Sequence, residues 1–226
     1  MDNIYKGEWN AITQKMSPLE LIVLVIVLTG ILFLGSQIGR GFGNPLDYML
    51  TSTSSRWIAL IVLLIITGTV GSSMGAKELG NYPESPYKII SFELAKTEET
   101  AGKIIEAWGG AGKSLAKKEI ITDFGFIVCY VALLGLICFW VADAQKGRWV
   151  SPVWLALGWS MLIAGLLDVI ENIALLRMLD AGASGLLAGL AFWAALPKSI
   201  ITTVFPLVVA VMMLAGVFLK AIRPQP

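Results

Sequence analysis

IVLVIVLTGILF (residues 22–33) contains no charge and no proline. It lies inside a mostly apolar run over 18–38, about the twenty residues needed to cross roughly 30 Å of hydrocarbon as a helix. The run is too long for the apolar part of a cleavable signal, and no Ala-x-Ala site follows it, so it reads as a first membrane span.

The composition of the chain agrees with that reading. Of 226 residues, 56% are hydrophobic and only 15% charged, and the mean hydropathy is +0.75, values outside the soluble globular range. The net charge is +1, without the basic surface that nucleic acid requires, so no nucleic-acid partner is expected. Histidine is absent, which removes the commonest general base and the commonest zinc ligand together. Cys129 and Cys138 lie nine residues apart in one apolar run, half a turn out of phase on a helix, and are expected to be free thiols.

Further apolar runs place spans at 57–75, 120–142 and 152–176, with Trp57 as an interfacial anchor. The last apolar stretch, 185–219, would reach about 50 Å as one helix, too long for a bilayer. Pro197 is its natural break, giving a short apolar helix over 185–196 and a fifth span over 198–219. One long kinked helix is the alternative. Between spans two and three, residues 76–119 carry seven lysines and seven glutamates. Within this loop Ile90, Leu94, Thr97, Ala101, Ile104 and Trp108 recur at spacings of three and four, and Thr97-Glu98-Glu99 suits a helix start. Two short amphipathic helices are expected there, lying on the bilayer or capping the bundle. The expected fold is therefore an all-α polytopic transmembrane bundle of about five spans in a single membrane domain.

Two short motifs imitate known sites. AWGGAGKS (107–114) ends like a phosphate-binding loop, but a helix-period stripe precedes it and there is no room for the strand and sheet that such a loop needs. No nucleotide is expected, and Gly109, Gly110 and Gly112 read as a helix stop and hinge. GSSMG (71–75) spells a nucleophile elbow without a histidine or a sheet to serve it. Gly71 and Gly75, Gly35 and Gly39, and Gly185 and Gly189 are each four apart, a spacing that lets helix backbones approach closely.

A further pattern, in GLLDVIENIALLR (165–177), carries chemistry. Asp168, Glu171 and Asn172 fall at i, i+3 and i+4 on one helical face, with Asp168 on the order of 13 Å and Glu171 about 9 Å from the Arg177 end. Ionisable groups at such depth must be paired, protonated or bound to something. Antiparallel spans bring Asp123, at the start of span three, and Lys198, beside Pro197, to the same end, and Glu20 enters span one there too. Asp123, Asp168 and Glu171 against Lys198 leave an excess of acid, which a retained proton, a cation or a polar ligand would offset. A metal held by the three acids would be a hard one such as magnesium or calcium.

SFELAKTEETAGKIIEAWG, DFGFIVCY, GLLDVIENIALL and ALPKS, in that order over about 88–215, resemble a family of small uncharacterised bacterial multi-span membrane proteins. The shared pattern is FELA, WG, an aspartate-aromatic-x-phenylalanine run followed by tyrosine, LDxxEN and PK. The resemblance implies a bundle in the bacterial cytoplasmic (inner) membrane, with Asp123, Asp168, Glu171, Asn172 and Lys198 as part of that pattern. It implies no activity.

On these grounds the chain is expected to bind a small polar, cationic or lipid-headgroup ligand through Asp123, Asp168, Glu171, Asn172 and Lys198, without a cofactor and in contact with the lipid bilayer. Transport would need a homo-oligomer, because five spans are few and no inverted repeat is present. Two other readings stand beside it: an accessory subunit of a larger membrane complex in which the cluster is structural, and a lipid-modifying enzyme with Asp168 or Glu171 as acid or base. No nucleophile is evident, so the balance leans away from an enzyme.

Overall fold

The computed structural model describes residues 16–74 and 87–204, together with 206, 207 and 211. It is helical, with no strand among the described residues. Five of its helices are long and apolar enough to cross a membrane.

Helix α1 (Pro18–Phe42) begins with a capping box: the Ser17 hydroxyl accepts from the Glu20 N–H, and the Glu20 carboxylate accepts from the Ser17 N–H at 2.9 Å. These bonds satisfy amides that the first helical turn leaves unpaired. A 3-10 turn (Pro45–Asp47) leads to α2 (Thr53–Ser73), which packs mainly on α4 and has no buried residue. Next come the short α3 (Ile89–Glu93), the long α4 (Glu98–Ala144), α5 (Ser151–Ala181) and α6 (Gly185–Ser199), which runs into a π-helical turn (Ile200–Val204). Helix α5 is central and packs on α1, α4 and α6. The outer faces of α1 and α2 expose rows of large apolar side chains, among them Ile22, Ile26, Phe33, Ile58, Ile61 and Ile65.

Small residues set the spacing of the bundle. A Cβ on Gly35 would lie 2.5 Å from the Ala156 carbonyl and collide with Ser160 Oγ, and one on Gly39 would press on Leu155 and Trp159. This pair, four residues apart, seats α1 on α5. Among the described residues, nothing lies within 4 Å of such a Cβ on Gly189, so there its spacing from Gly185 serves no close packing. Gly158 and Gly165, which the sequence did not single out, give α5 its approach to Phe139 and Val131 of α4.

Three boundaries differ from expectation. The stripe from Ile90 to Trp108 is not continuous. Helix α3 stops at Glu93, Thr97 caps a new helix by accepting from the Thr100 N–H, and Ile90 ends up exposed while Phe92 and Ala95 are buried. The second loop helix is also not separate from the third span. Helix α4 runs from Glu98 to Ala144 and bends at Gly109, where φ is +55°, a conformation that glycine adopts without Cβ strain. Residues 110–114 of AWGGAGKS are helical beyond that bend. Finally, α6 passes through Pro197 rather than ending there. The proline removes one backbone donor, and the ladder shifts to a π turn over Ile200–Val204. The apolar helix at this point spans Gly185–Val204, and most of the span expected at 198–219 lies outside the described residues.

The buried side chains form two apolar cores. One joins α3 and the start of α4 to the end of α5 and the start of α6 through Phe92, Ile104, Trp108, Leu175, Met178 and Ala191. The other joins α1, the end of α4, the start of α5 and the π turn through Leu28, Cys138, Trp154, Leu157, Met161 and Ile201. The segment before Gly109 thus caps one end of the bundle. Trp108 fixes it by donating to the Tyr87 carbonyl at 2.9 Å and stacking edge-on against Phe92.

Candidate functional site

Between the two cores lies a layer of charged and polar side chains. On α5 it occupies Asp168, Glu171 and Asn172, between Ala164 of one core and Ala174 of the other. Their spacing keeps all three on one buried face. Antiparallel α4 brings Asp123 and Tyr130 alongside, and α6 brings Lys198 at the point where its ladder is disturbed.

The geometry is specific. The Lys198 ammonium lies 2.8 Å from Asp168 Oδ1 and 2.6 Å from Glu171 Oε2. The Tyr130 hydroxyl donates to Asp168 Oδ2 at 2.8 Å. The Asn172 amide donates to Asp123 Oδ2 at 2.7 Å. Asp123, Asp168, Glu171, Asn172 and Lys198 are therefore brought together. Glu20 is not among them: its carboxylate takes the Lys96 ammonium, tying the start of α1 to the α3–α4 connection.

Two further acids complete the layer. Glu119, buried on α4, lies within electrostatic reach of Glu93 and Asp123. Glu93, at the end of α3, acts on Glu119, Glu171 and Lys198 together. As a residue Glu93 is half-buried, but protein surrounds its carboxyl. Burial pushes that carboxyl above the ordinary carboxylate range, Lys198 opposes the rise, and Asp123 and Asp168 add to it. Among the described residues, Glu93, Glu119, Asp123, Asp168 and Glu171 thus share Lys198 as the one cation of this layer.

Hydrogen bonding across the layer is uneven. Asp168 has a donor on each oxygen. Glu171 is fully buried, yet its Oε1 has no partner. Its Oε2 forms an ion pair with the Lys198 ammonium at 2.6 Å. Glu119 Oε2 is also buried without a partner. An orphaned buried acceptor costs about 1–3 kcal/mol, and more when charged, so these oxygens mark where a donor is wanted.

Asp123, Asp168 and Glu171 do not form the metal site considered from sequence. Asn172 takes Asp123, Lys198 stands between Asp168 and Glu171, and among the described residues no three His, Cys, Asp or Glu side chains group around a point that could hold a metal ion. An apolar groove at the other end of the bundle, lined by Trp57, Leu60, Ile137, Trp140, Val141 and Ala144, is remote from this layer and carries no charged lining residue.

Sequence reading assigned no site role to Tyr130, Glu119 or Glu93, although Tyr130 and Glu93 fall within the motifs DFGFIVCY and FELA. The first two had a signal: Glu119 is four residues before Asp123 and Tyr130 seven after it, positions on one helical face. Glu93 lies in the FELA motif but had no helical-period signal, since only the fold of the α3–α4 connection brings it to α5 and α6. No family model, no curated protein and no solved structure matches this chain.

Proposed function

We propose that the chain is a multi-pass protein of the bacterial cytoplasmic membrane that binds a small polar or cationic ligand in the layer between its two cores. Five apolar helices and the resemblance over about 88–215 support the location. The observation that carries the binding reading is Glu171, fully buried with Oε1 unpaired in a layer of five carboxyls and one lysine. A cluster that served packing alone would gain by losing such an acceptor. Among the described residues nothing in the layer supplies an activated nucleophile, so binding is the reading put forward ahead of a lipid-modifying enzyme.

The test compares wild type with Glu171→Gln and Glu171→Ala. Unfolding in detergent is followed with and without sodium, potassium, magnesium, calcium, ammonium salts and membrane lipids. Wild type is stabilised by at least one probe, Glu171→Gln loses that response while staying folded, and Glu171→Ala is the least stable. Identical responses of wild type and Glu171→Gln to every probe refute the binding reading.

One observation favours a second reading, the structural subunit. Lys198 clasps Asp168 and Glu171 across α5 and α6, as a device for fixing helix packing would. That reading requires a heteromeric partner to appear on sizing after gentle extraction.

A further inference from the structure

Resting on the binding reading, the way into the charged layer follows from what seals it. Glu171 is fully buried and Asp168 and Asn172 are each 3% exposed, so a ligand reaches them only when part of the chain moves aside. Sideways lie the apolar spans and the hydrocarbon around them, which a polar or cationic ligand does not cross cheaply. Towards one end stands the core of Leu28, Cys138, Trp154, Leu157 and Met161, and opening it would part spanning helices from one another. Towards the other end stands the cap, made of α3 and the first part of α4. Its Phe92, Ile104 and Trp108 close over Ala174, Leu175 and Met178, on the turns of α5 that follow Glu171 and Asn172.

The cap has the anatomy of a separate body. It is fastened within itself, since the Trp108 indole donates to the Tyr87 carbonyl at 2.9 Å and its ring meets Phe92 edge-on. It continues into the spanning part of α4 through Gly109, where φ is +55° and ψ is −163°, and a few rotations at such a residue move a whole element. At its rim it is held by polar contacts. The Lys96 ammonium sits on the Glu20 carboxylate of α1 and 5.5 Å above the Phe192 ring of α6. Glu98 Oε2 accepts from the Gly185 N–H at 3.2 Å, in the first turn of α6. Contacts of this kind, near the surface, are weak and open readily. The apolar contacts beneath set how rarely the whole cap lifts.

We infer that the cap is a hinged lid: residues 89–108 swing as one body about Gly109, latched by Lys96 on Glu20 and by Glu98 on Gly185, and their opening admits the ligand to Glu171.

The latch offers a lock. A Cβ on Gly185 would lie 3.9 Å from Glu98 Cβ, within the range of about 3.5–4.5 Å that a disulfide needs, and both positions are exposed. In the full chain with Cys129 and Cys138 replaced by alanine, Glu98→Cys and Gly185→Cys are combined with one reporter thiol on α5. The reporter is either Ala174→Cys, beneath the lid, or Ala164→Cys, in the other core. Labelling by the cationic thiol reagent aminoethyl methanethiosulfonate is timed in detergent, with the 98–185 bond formed and again after reduction and removal of the reductant. In the reduced protein Ala174→Cys reacts about tenfold or more faster than Ala164→Cys, as local opening outpaces global unfolding. Forming the bond slows Ala174→Cys about tenfold or more and leaves Ala164→Cys unchanged.

Should the bond fail to form, Glu20→Gln tests the latch by itself. Glutamine keeps the capping box but drops the charge that Lys96 holds, and labelling at Ala174→Cys rises about two- to fivefold, the range for one ion pair of this exposure. Equal rates at the two reporters mean that opening is global unfolding, and overturn the lid. So does a rate at Ala174→Cys that neither the bond nor Glu20→Gln changes. The lid and the binding reading fail separately. Labelling indifferent to the lock, in a protein whose response to a salt depends on Glu171, removes the lid and keeps the site. A working lid, in a protein where Glu171→Gln and wild type respond alike to every salt, keeps the lid and removes the ligand.

Discussion

The Tyr130 hydroxyl donates to Asp168 Oδ2 at 2.8 Å, joining α4 to α5 inside the charged layer. Asp168 is thereby held from two sides, by a neutral donor on one oxygen and by the Lys198 ammonium on the other. Replacing Tyr130 with Phe keeps the ring and its tilted contact with Phe126 but strips one donor from a buried carboxylate. Tyr130→Phe should lower stability by about 1–3 kcal/mol, the range for orphaning a buried acceptor. Equilibrium unfolding in mixed micelles measures it, and a loss under about 0.5 kcal/mol would mean that water takes the place of the hydroxyl.

Among the described residues Lys198 is the only base that pairs with Asp168 and Glu171, so removing it strands two buried carboxylates. Lys198→Met should destabilise by about 3–5 kcal/mol, more than the side chain's packing alone would cost. If the loss comes from stranded charge, making a carboxylate neutral should restore part of it. Lys198→Met combined with Glu171→Gln should therefore be more stable than Lys198→Met alone, with a coupling of about 1–3 kcal/mol. Additive effects in that double-mutant cycle would show that the lysine and Glu171 do not interact energetically.

How much of this was legible beforehand depended on the range of the interaction. Asp168, Glu171 and Asn172 share a face by helical period alone, and antiparallel order placed Asp123 and Lys198 at the same end. Both inferences need only local geometry and an odd number of crossings. Glu93 was present in the FELA motif, but its place in the site could not be read, because the chain turns between Glu93 and Thr97 and again at Gly109, and no periodicity spans two such breaks. Pro197 misled for the opposite reason. Its local cost is real, but α6 is packed against α5 over its length, and tertiary contact carries the helix through into a π turn. Glu20 looked like part of the site by depth, yet its partner Lys96 came from a connection whose path the sequence does not define.

The glycines provide a matched pair of tests. At Gly35 an added methyl meets the Ala156 carbonyl at 2.5 Å and the Ser160 hydroxyl, and backbone cannot move aside cheaply. Gly35→Ala should push α1 off α5 and cost about 1–3 kcal/mol. At Gly189 the same methyl meets nothing within 4 Å, and alanine is the better helix former by about 1 kcal/mol. Gly189→Ala should be neutral or stabilising by the same unfolding measurement. Equal effects at the two positions would rule out close packing as the reason for Gly35.

Glu93 gives the molecule a pH dependence whose sign follows from its surroundings. Its carboxyl is raised above the ordinary 4.5, by burial and by Asp123 and Asp168, with Lys198 opposing. The groups of the layer around it are Glu119 and Asp123 on α4, Asp168 and Glu171 on α5, and Lys198 on α6. Above the ordinary value the unfolded chain has released this proton while the folded chain still holds it. The folded state then binds more protons than the unfolded one, so stability falls as pH rises from about 4.5 to the folded value. Below that window both states are protonated and Glu93 contributes no slope. Glu93→Gln cannot ionise, so its stability relative to wild type should increase steadily with pH across the window and level off beyond it, by about 1.4 kcal/mol for each unit by which the folded value is raised. Unfolding profiles of wild type and Glu93→Gln between pH 4 and about 8 measure the difference. Parallel profiles would mean that Glu93 ionises as freely in the folded protein as in the unfolded chain, and that its carboxyl is open to water rather than facing Lys198 and the acids of the layer.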